Sequence, residues 1–167
     1  MESFTMSVNI IGKMNLKKGE ETMNMDRLLE SVKKHEGYRN KVYLDTLGKR
    51  TVGVGHLCVE DFLEDDKEYS EKFLLEILEK DLGQAIIGAR ELMMEHDCID
   101  INEKAEEILI EMVIQLGKTG VSKFKNMCKA LSELNYVGAS YEMLDSRWAK
   151  QTPNRAKNMA DQMKACV

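Results

Sequence analysis

The sequence is poor in proline, with a single one among 167 residues, and it contains no apolar run of the roughly 20 residues needed to span a bilayer. It has twelve methionines, whose flexible side chains pack adaptably. Residues 1–12 lack the basic segment and long apolar core of a secretory signal, so none is expected. The composition therefore predicts a helix-rich globular chain that does not insert into membranes.

The four cysteines are widely spaced and form no Cys-x-x-Cys pair: Cys58, Cys98, Cys128 and Cys166. A zinc site is not expected from this spacing, and the three histidines also lack the spacing of metal ligands. We therefore expect no metal and no cofactor. Without an export signal, four reduced thiols are the default, and two disulfides are the alternative.

The charge is unevenly distributed, although the net value is only −5. Residues 1–56 carry ten basic and seven acidic side chains, residues 57–111 carry five and eighteen, and residues 112–167 carry nine and four. This balance does not indicate a basic nucleic-acid-binding surface. The two ends of the chain could still present positive charge to an anionic polymer.

The apolar pattern predicts mainly helices around one short hairpin. Residues 1–23 are interpreted as an N-terminal extension, and a helix is expected over 25–36. Strands are predicted at 41–44 and 51–54, with a turn between them, and an acidic loop follows at 60–68. Further helices are expected over 70–95, 103–116, 121–134, 137–145 and 153–165. Asn102 and Thr152 are the expected caps, and Gly117 the expected end of the second of these helices.

These elements predict an α+β, mainly α, fold in a single domain over 24–167. The small strand-containing lobe is expected at about 38–69, the long connecting helix at about 70–95, and the helical lobe at about 96–167. A cleft between two lobes is a natural substrate site.

Two carboxylates stand close together along the chain at the predicted hairpin. Glu36 continues the apolar stripe of the first helix, where partial burial would keep a carboxyl protonated. Asp45 lies where a strand enters a turn, and Thr51 follows on the next strand. Two carboxyl groups in different environments are typical of glycoside hydrolysis. Taken singly, each has a structural alternative, namely a solvated helix end, local turn bonding or simple β-propensity.

His56 and Asp81 are predicted to form a structural pair. His56 follows an alternating strand and shares a face with valines, while Asp81 lies on the apolar face of the long helix. A buried carboxylate needs a partner, so we expect Asp81 to bind His56 and to tie the long helix to the hairpin.

Several separated motifs resemble the phage-type lysozymes (endolysins, glycoside hydrolase family 24). The string Thr-Val-Gly-Val-Gly-His at 51–56 follows Glu36 and Asp45, and Gln115 opens Gln-Leu-Gly-Lys-Thr-Gly-Val. Ser-Arg-Trp at 146–148 and Thr-Pro-Asn-Arg-Ala at 152–156 complete the set. The resemblance runs from about residue 25 to the end of the chain.

This resemblance implies a lysozyme-like two-lobed fold and hydrolysis of the β-1,4 bond between N-acetylmuramic acid and N-acetylglucosamine in bacterial peptidoglycan. Glu36 would be the general acid, and Asp45 with Thr51 would act on the attacking water, with inversion of the anomeric centre. The resemblance also implies four supporting residues at the site: His56, Asp81, Trp148 and Arg155. Five positions correspond to substrate contacts or the cleft: Leu57, Ile114, Gln115, Met127 and Glu142.

Two alternatives remain open, a wall-binding module without activity and a lytic transglycosylase, which needs no water-activating partner. The residue types at Ile114, Met127 and Glu142 depart from those of the family. We expect a monomer that binds peptidoglycan and no nucleic acid. It would be cytoplasmic at synthesis and would act on the cell wall after release or permeabilisation.

Overall fold

The computed structural model describes residues 39–45, 48–53, 55–58 and 62–167. The predicted extension over 1–23 and the predicted helix with Glu36 lie outside these ranges. The described chain forms a small antiparallel sheet followed by six helices. This arrangement confirms the predicted α+β, mainly α, fold class.

The sheet contains three short strands in the order β1 (Arg39–Leu44), β2 (Arg50–Gly53) and β3 (His56–Leu57). The first two strands match the predicted hairpin, but β3 was not predicted. The chain reverses after β2, where Gly53 has φ 63° and Gly55 has φ 81°, values that favour glycine. His56 therefore lies on its own strand opposite Val52, rather than further along the same strand. Cross-strand partners share a face, so the predicted neighbourhood of His56 and valine is retained.

The first two helices begin at side-chain caps. Helix α1 (Glu71–Glu95) starts after Ser70, whose hydroxyl accepts the N–H of Phe73 at 3.3 Å. Helix α2 (Glu103–Val121) starts after Asn102, which accepts the N–H of Ala105 at 2.9 Å, as predicted. Gly117 interrupts α2 with φ 70° and ψ 161°, so the regular helix ends where the sequence predicts and one further turn follows.

Four shorter helices complete the described chain: α3 (Lys125–Ser132), α4 (Tyr136–Leu144), α5 (Arg147–Gln151) and α6 (Pro153–Lys164). Helix α5 was not predicted, and it begins where Ser146 accepts the N–H of Ala149. Thr152 precedes α6 but does not cap it with its side chain, contrary to the prediction. Its hydroxyl donates instead to the carbonyl of Trp148 in α5 at 3.1 Å.

Apolar side chains form two clusters, and α1 contributes to both. The smaller cluster joins the sheet to the start of α1 through Val52, Leu63, Tyr69 and Leu74. The larger cluster begins at Leu78 and packs the rest of α1 against the other helices. Burying one such leucine stabilises the folded state by roughly 1.5–3 kcal/mol. Helix α1 is therefore held both to the sheet and to the other helices. Within the described ranges, no helix is long and apolar enough to cross a membrane.

Candidate active site

The turn between β1 and β2 holds Asp45 in place through the backbone of Lys49. The Asp45 carboxylate accepts the N–H of Lys49 at 2.8 Å, and the N–H of Asp45 donates to the Lys49 carbonyl at 2.9 Å. Gly48, with φ 74°, donates its N–H to the Asp45 carbonyl at 3.0 Å. The half-buried carboxylate is therefore fixed by local bonds as well as by the strand before it.

Thr51 also forms a hydrogen bond with Lys49, at its backbone carbonyl. Its hydroxyl donates to the Lys49 carbonyl at 3.1 Å, and only 4% of the residue is exposed. Lys49 thus binds the Asp45 carboxylate through its N–H and the Thr51 hydroxyl through its C=O. The structure brings these two predicted residues together around one shared neighbour, which sequence reasoning did not identify. An aspartate at the start of a turn was the available signal, because its carboxylate commonly accepts a nearby backbone N–H.

The face of the sheet that carries Thr51 is defined by the strand register. Thr51 pairs with Tyr43 on β1 and with Leu57 on β3, so these three residues form a row across the sheet. Leu57, a predicted substrate contact, is 43% exposed and is therefore accessible to a ligand. Tyr43 is half-buried and was not among the predicted site residues.

The opposite face of the sheet is joined to α1. The Nδ1 atom of His56 lies 2.7 Å from Oδ2 of Asp81, which is the contact predicted from the sequence. The His56 side chain is 13% exposed and that of Asp81 is 35% exposed. Because this contact spans from β3 to α1, it limits how the sheet can move relative to the helix.

A second set of predicted residues lies in the helical part of the chain. The indole N–H of Trp148 donates to the side-chain carbonyl of Gln115 at 3.0 Å. Trp148 is buried and meets Phe124 edge to face, with ring centroids 6.1 Å apart. Gln115 is half-buried and stands two residues before the break at Gly117, so its side chain links α2 to α5.

The remaining predicted residues differ in accessibility. Ile114, Glu142 and Arg155 are half-buried, whereas Met127 has 0% exposure within the larger cluster. A side chain without exposed surface does not touch a polymer in solvent, so direct contact of Met127 with a sugar would require it to move outwards. The family resemblance implies that Arg155 contacts Glu36, which lies outside the described ranges.

The cysteines and acidic residues do not form a metal site in the described ranges, which contain no group of three or more suitable side chains. Cys98, Cys128 and Cys166 are buried as free thiols. Burial raises the pKa of the Cys128 thiol to about 11. Burial also raises the pKa of Cys98 and Cys166, so these thiols stay neutral at ordinary pH.

The chain is similar in sequence to known proteins over most of its length. A family model described as phage lysozyme matches residues 33–164. "Probable T4-type lysozyme 2" of Dictyostelium discoideum is 30% identical over 155 aligned residues, which cover 79% of this chain and 90% of that protein. "Probable T4-type lysozyme 1" of the same organism is 26% identical, covering 78% and 89%. The "Pre-baseplate central spike protein Gp5" of Enterobacteria phage T4 is 27% identical over 84% of this chain but only 28% of its own length.

Proposed function

This chain belongs to the phage lysozyme family, and from that membership we propose that it cleaves the β-1,4 bond between N-acetylmuramic acid and N-acetylglucosamine. It is a glycoside hydrolase, a muramidase, and its substrate is peptidoglycan. The assignment of individual catalytic residues is our proposal. It gives Glu36 the role of general acid and gives Asp45 and Thr51 the activation of water.

The observation that carries this proposal is the shared attachment of Asp45 and Thr51 to Lys49. A base that activates water must be held in position, because a misplaced carboxylate loses much of the rate advantage. The turn supplies that position with two backbone hydrogen bonds. A hydroxyl next to the carboxylate can bind the same water and direct its lone pair toward the sugar carbon.

Glu36 completes the proposed mechanism as the proton donor. The leaving oxygen of the sugar needs a proton as the glycosidic bond breaks, and a carboxyl kept neutral by partial burial supplies it. Support for this role comes from the apolar spacing before Glu36 and from the family match, which includes this position. The base and the acid then act on opposite sides of the bond, and the anomeric centre is inverted.

Product analysis after digestion of purified peptidoglycan tests this proposal. Wild type should release fragments with reducing muramic acid ends that have gained one water, and early products should carry the inverted anomer. Glu36→Gln and Asp45→Asn should release almost none. Asp161→Asn is the matched control, since it makes the same chemical change on the exposed face of α6, where Asp161 pairs with Lys157. It should behave as wild type.

Other products would contradict specific parts of the proposal. Anhydro ends would identify a lytic transglycosylase and remove the water-activating role of Asp45. Binding to walls without cleavage would identify a module that has lost activity. Retention of the anomer would mean that a carboxylate attacks carbon directly.

A further inference from the structure

The β1–β2 hairpin is rich in positive charge. Within residues 39–53 there are four basic side chains and a single acidic one. Two of the basic residues are paired with the following loop, Lys41 with Glu68 at 3.2 Å and Arg50 with Asp65 at 2.7 Å. Arg39 forms no ion pair within the part of the chain that the structure describes. Its charge is therefore not compensated by a carboxylate there.

Arg39 is nevertheless held in place by an aromatic ring. Its guanidinium carbon lies 4.5 Å from the centre of the Tyr43 ring. Such a cation–π contact orients the guanidinium. The contact with the ring involves the positive charge of the guanidinium, and it leaves the N–H donors of Arg39 available for a planar anion.

An irregularity in β1 makes this contact possible. Arg39 pairs with Gly53 and Tyr43 pairs with Thr51, so four steps along β1 correspond to two steps along β2. A regular strand would separate Arg39 from Tyr43 by roughly 13 Å, whereas two steps correspond to roughly 7 Å. Tyr43 and Thr51 are cross-strand partners and share a face of the sheet. The guanidinium of Arg39, which lies against the Tyr43 ring, is therefore on the side of the sheet that carries Thr51.

We propose that Arg39, held over Tyr43, is an anion-binding subsite that takes a carboxylate of the glycan strand beside the reacting bond. This inference rests on the proposed function and extends it to a substrate group. N-acetylmuramic acid carries a lactyl group, which ends in a carboxylate or is joined to a stem peptide that bears carboxylates. Either source presents the same planar anion, and a guanidinium binds it through two parallel hydrogen bonds.

The net negative charge of the chain makes a local positive charge useful at this site. A protein with a net charge of −5 repels an anionic polymer at long range, and this repulsion must be overcome at the cleft. Lys41 and Arg50 are already engaged with acidic residues, so they contribute little further attraction. An uncompensated arginine held over Tyr43, the cross-strand partner of Thr51, draws the strand to the face where cleavage is proposed.

The test compares glycan strands with and without carboxylates. Four substrates are needed, namely strands with stem peptides, strands freed of peptides by an amidase, and each of these after conversion of carboxylates to methylamides with carbodiimide and methylamine. Wild type, Arg39→Gln, Arg39→Lys and Lys41→Gln are assayed for kcat and KM, and for binding by co-sedimentation. Lys41→Gln is the matched control, since it removes one positive charge from the same strand.

On carboxylate-bearing strands, Arg39→Gln should raise KM about ten-fold with little change in kcat, the scale of one charged hydrogen-bonded contact. Arg39→Lys should recover only part of the loss, because an ammonium lacks the planar fork. Lys41→Gln should match wild type. On methylamide strands, Arg39→Gln and wild type should bind alike.

The pattern over the substrates identifies the source of the carboxylate. A defect confined to peptide-bearing strands assigns it to the stem peptide, and a defect that appears only after amidase treatment assigns it to the lactyl group, whose carboxylate that treatment frees. The subsite is disproved if Arg39→Gln equals wild type on both kinds of carboxylate-bearing strand or loses the same factor on methylamide strands. Failure of the proposed function would appear separately, as absence of cleavage by wild type on every substrate, and the binding comparison would still report on Arg39.

Discussion

His56 and Asp81 connect β3 to α1 through a contact of 2.7 Å between Nδ1 and Oδ2. The two residues are 25 positions apart in the sequence, so the contact closes a long segment of chain. It lies beside the smaller apolar cluster, where Val52 opposes His56 across the sheet. The pair therefore fixes the orientation of the strands that carry Asp45 and Thr51 relative to the rest of the molecule.

Removing either member of this pair should destabilise the protein. His56→Gln and Asp81→Asn should each lower the free energy of unfolding by about 1–3 kcal/mol, since a partly buried polar group loses its partner. The double variant should lose less than the sum of the two, with a coupling of about 1 kcal/mol, measured by urea unfolding at neutral pH. Strict additivity would show that the contact contributes no stability.

Two replacements of Asp45, by Asn and by Ala, should distinguish its role in catalysis from its role in stability. Asp45→Asn keeps an oxygen that accepts the N–H of Lys49 but removes the charge. It should retain stability within about 0.5 kcal/mol, and turnover should fall by 10²–10⁴-fold. Asp45→Ala should lose activity to the same extent and about 1 kcal/mol of stability as well, because the hydrogen bond is gone. An Asn variant with more than half of wild-type turnover would rule out Asp45 as the base.

Gln115 should be needed as an acceptor for Trp148. Gln115→Leu leaves the buried indole N–H without its 3.0 Å acceptor and should cost about 1–3 kcal/mol. Gln115→Glu is the matched control, because it keeps a side-chain oxygen at the same position. Thermal unfolding followed by the fluorescence of the single tryptophan measures both. Equal melting temperatures for the two variants would show that the hydrogen bond is not needed.

Alkaline pH should weaken the fold through Cys128. Its thiol ionises near pH 9 in the unfolded chain but near pH 11 in the folded one, because burial raises the pKa. Between these values the unfolded state binds fewer protons, so the free energy of unfolding decreases as pH rises, by on the order of 1–2 kcal/mol. Well below pH 9 the Cys128 thiol is neutral in both states, so the free energy of unfolding keeps its full value.

Urea unfolding between pH 8 and 11 measures this decline, and Cys128→Ala provides the comparison. The alanine variant starts from a lower stability because a cavity forms, but its decline should be shallower. Part of the decline should remain, since burial also raises the pKa of Cys98 and Cys166. The same slope in both proteins would exclude Cys128 as the cause.

Local signals in the sequence were sufficient for most of the individual elements. The cap at Asn102, the interruption at Gly117 and the partner of His56 follow from residue type and spacing, because capping, backbone freedom and burial act over a few residues. Helix α5 and strand β3 were missed, since five and two residues are too few to show a period. Thr152 was assigned the wrong hydrogen bond because its acceptor, the Trp148 carbonyl, belongs to the unpredicted α5.

The amino-acid sequence by itself determined the fold class and the residues from which a site could be made, because apolar spacing and motif chemistry are properties of the chain. Only the tertiary structure decided which of them meet. The row formed by Tyr43, Thr51 and Leu57 and the placement of Arg39 over Tyr43 depend on strand register and on an irregularity in β1. Register is set by the summed packing of both strands and the helix beneath them, and no single stretch of sequence contains that sum.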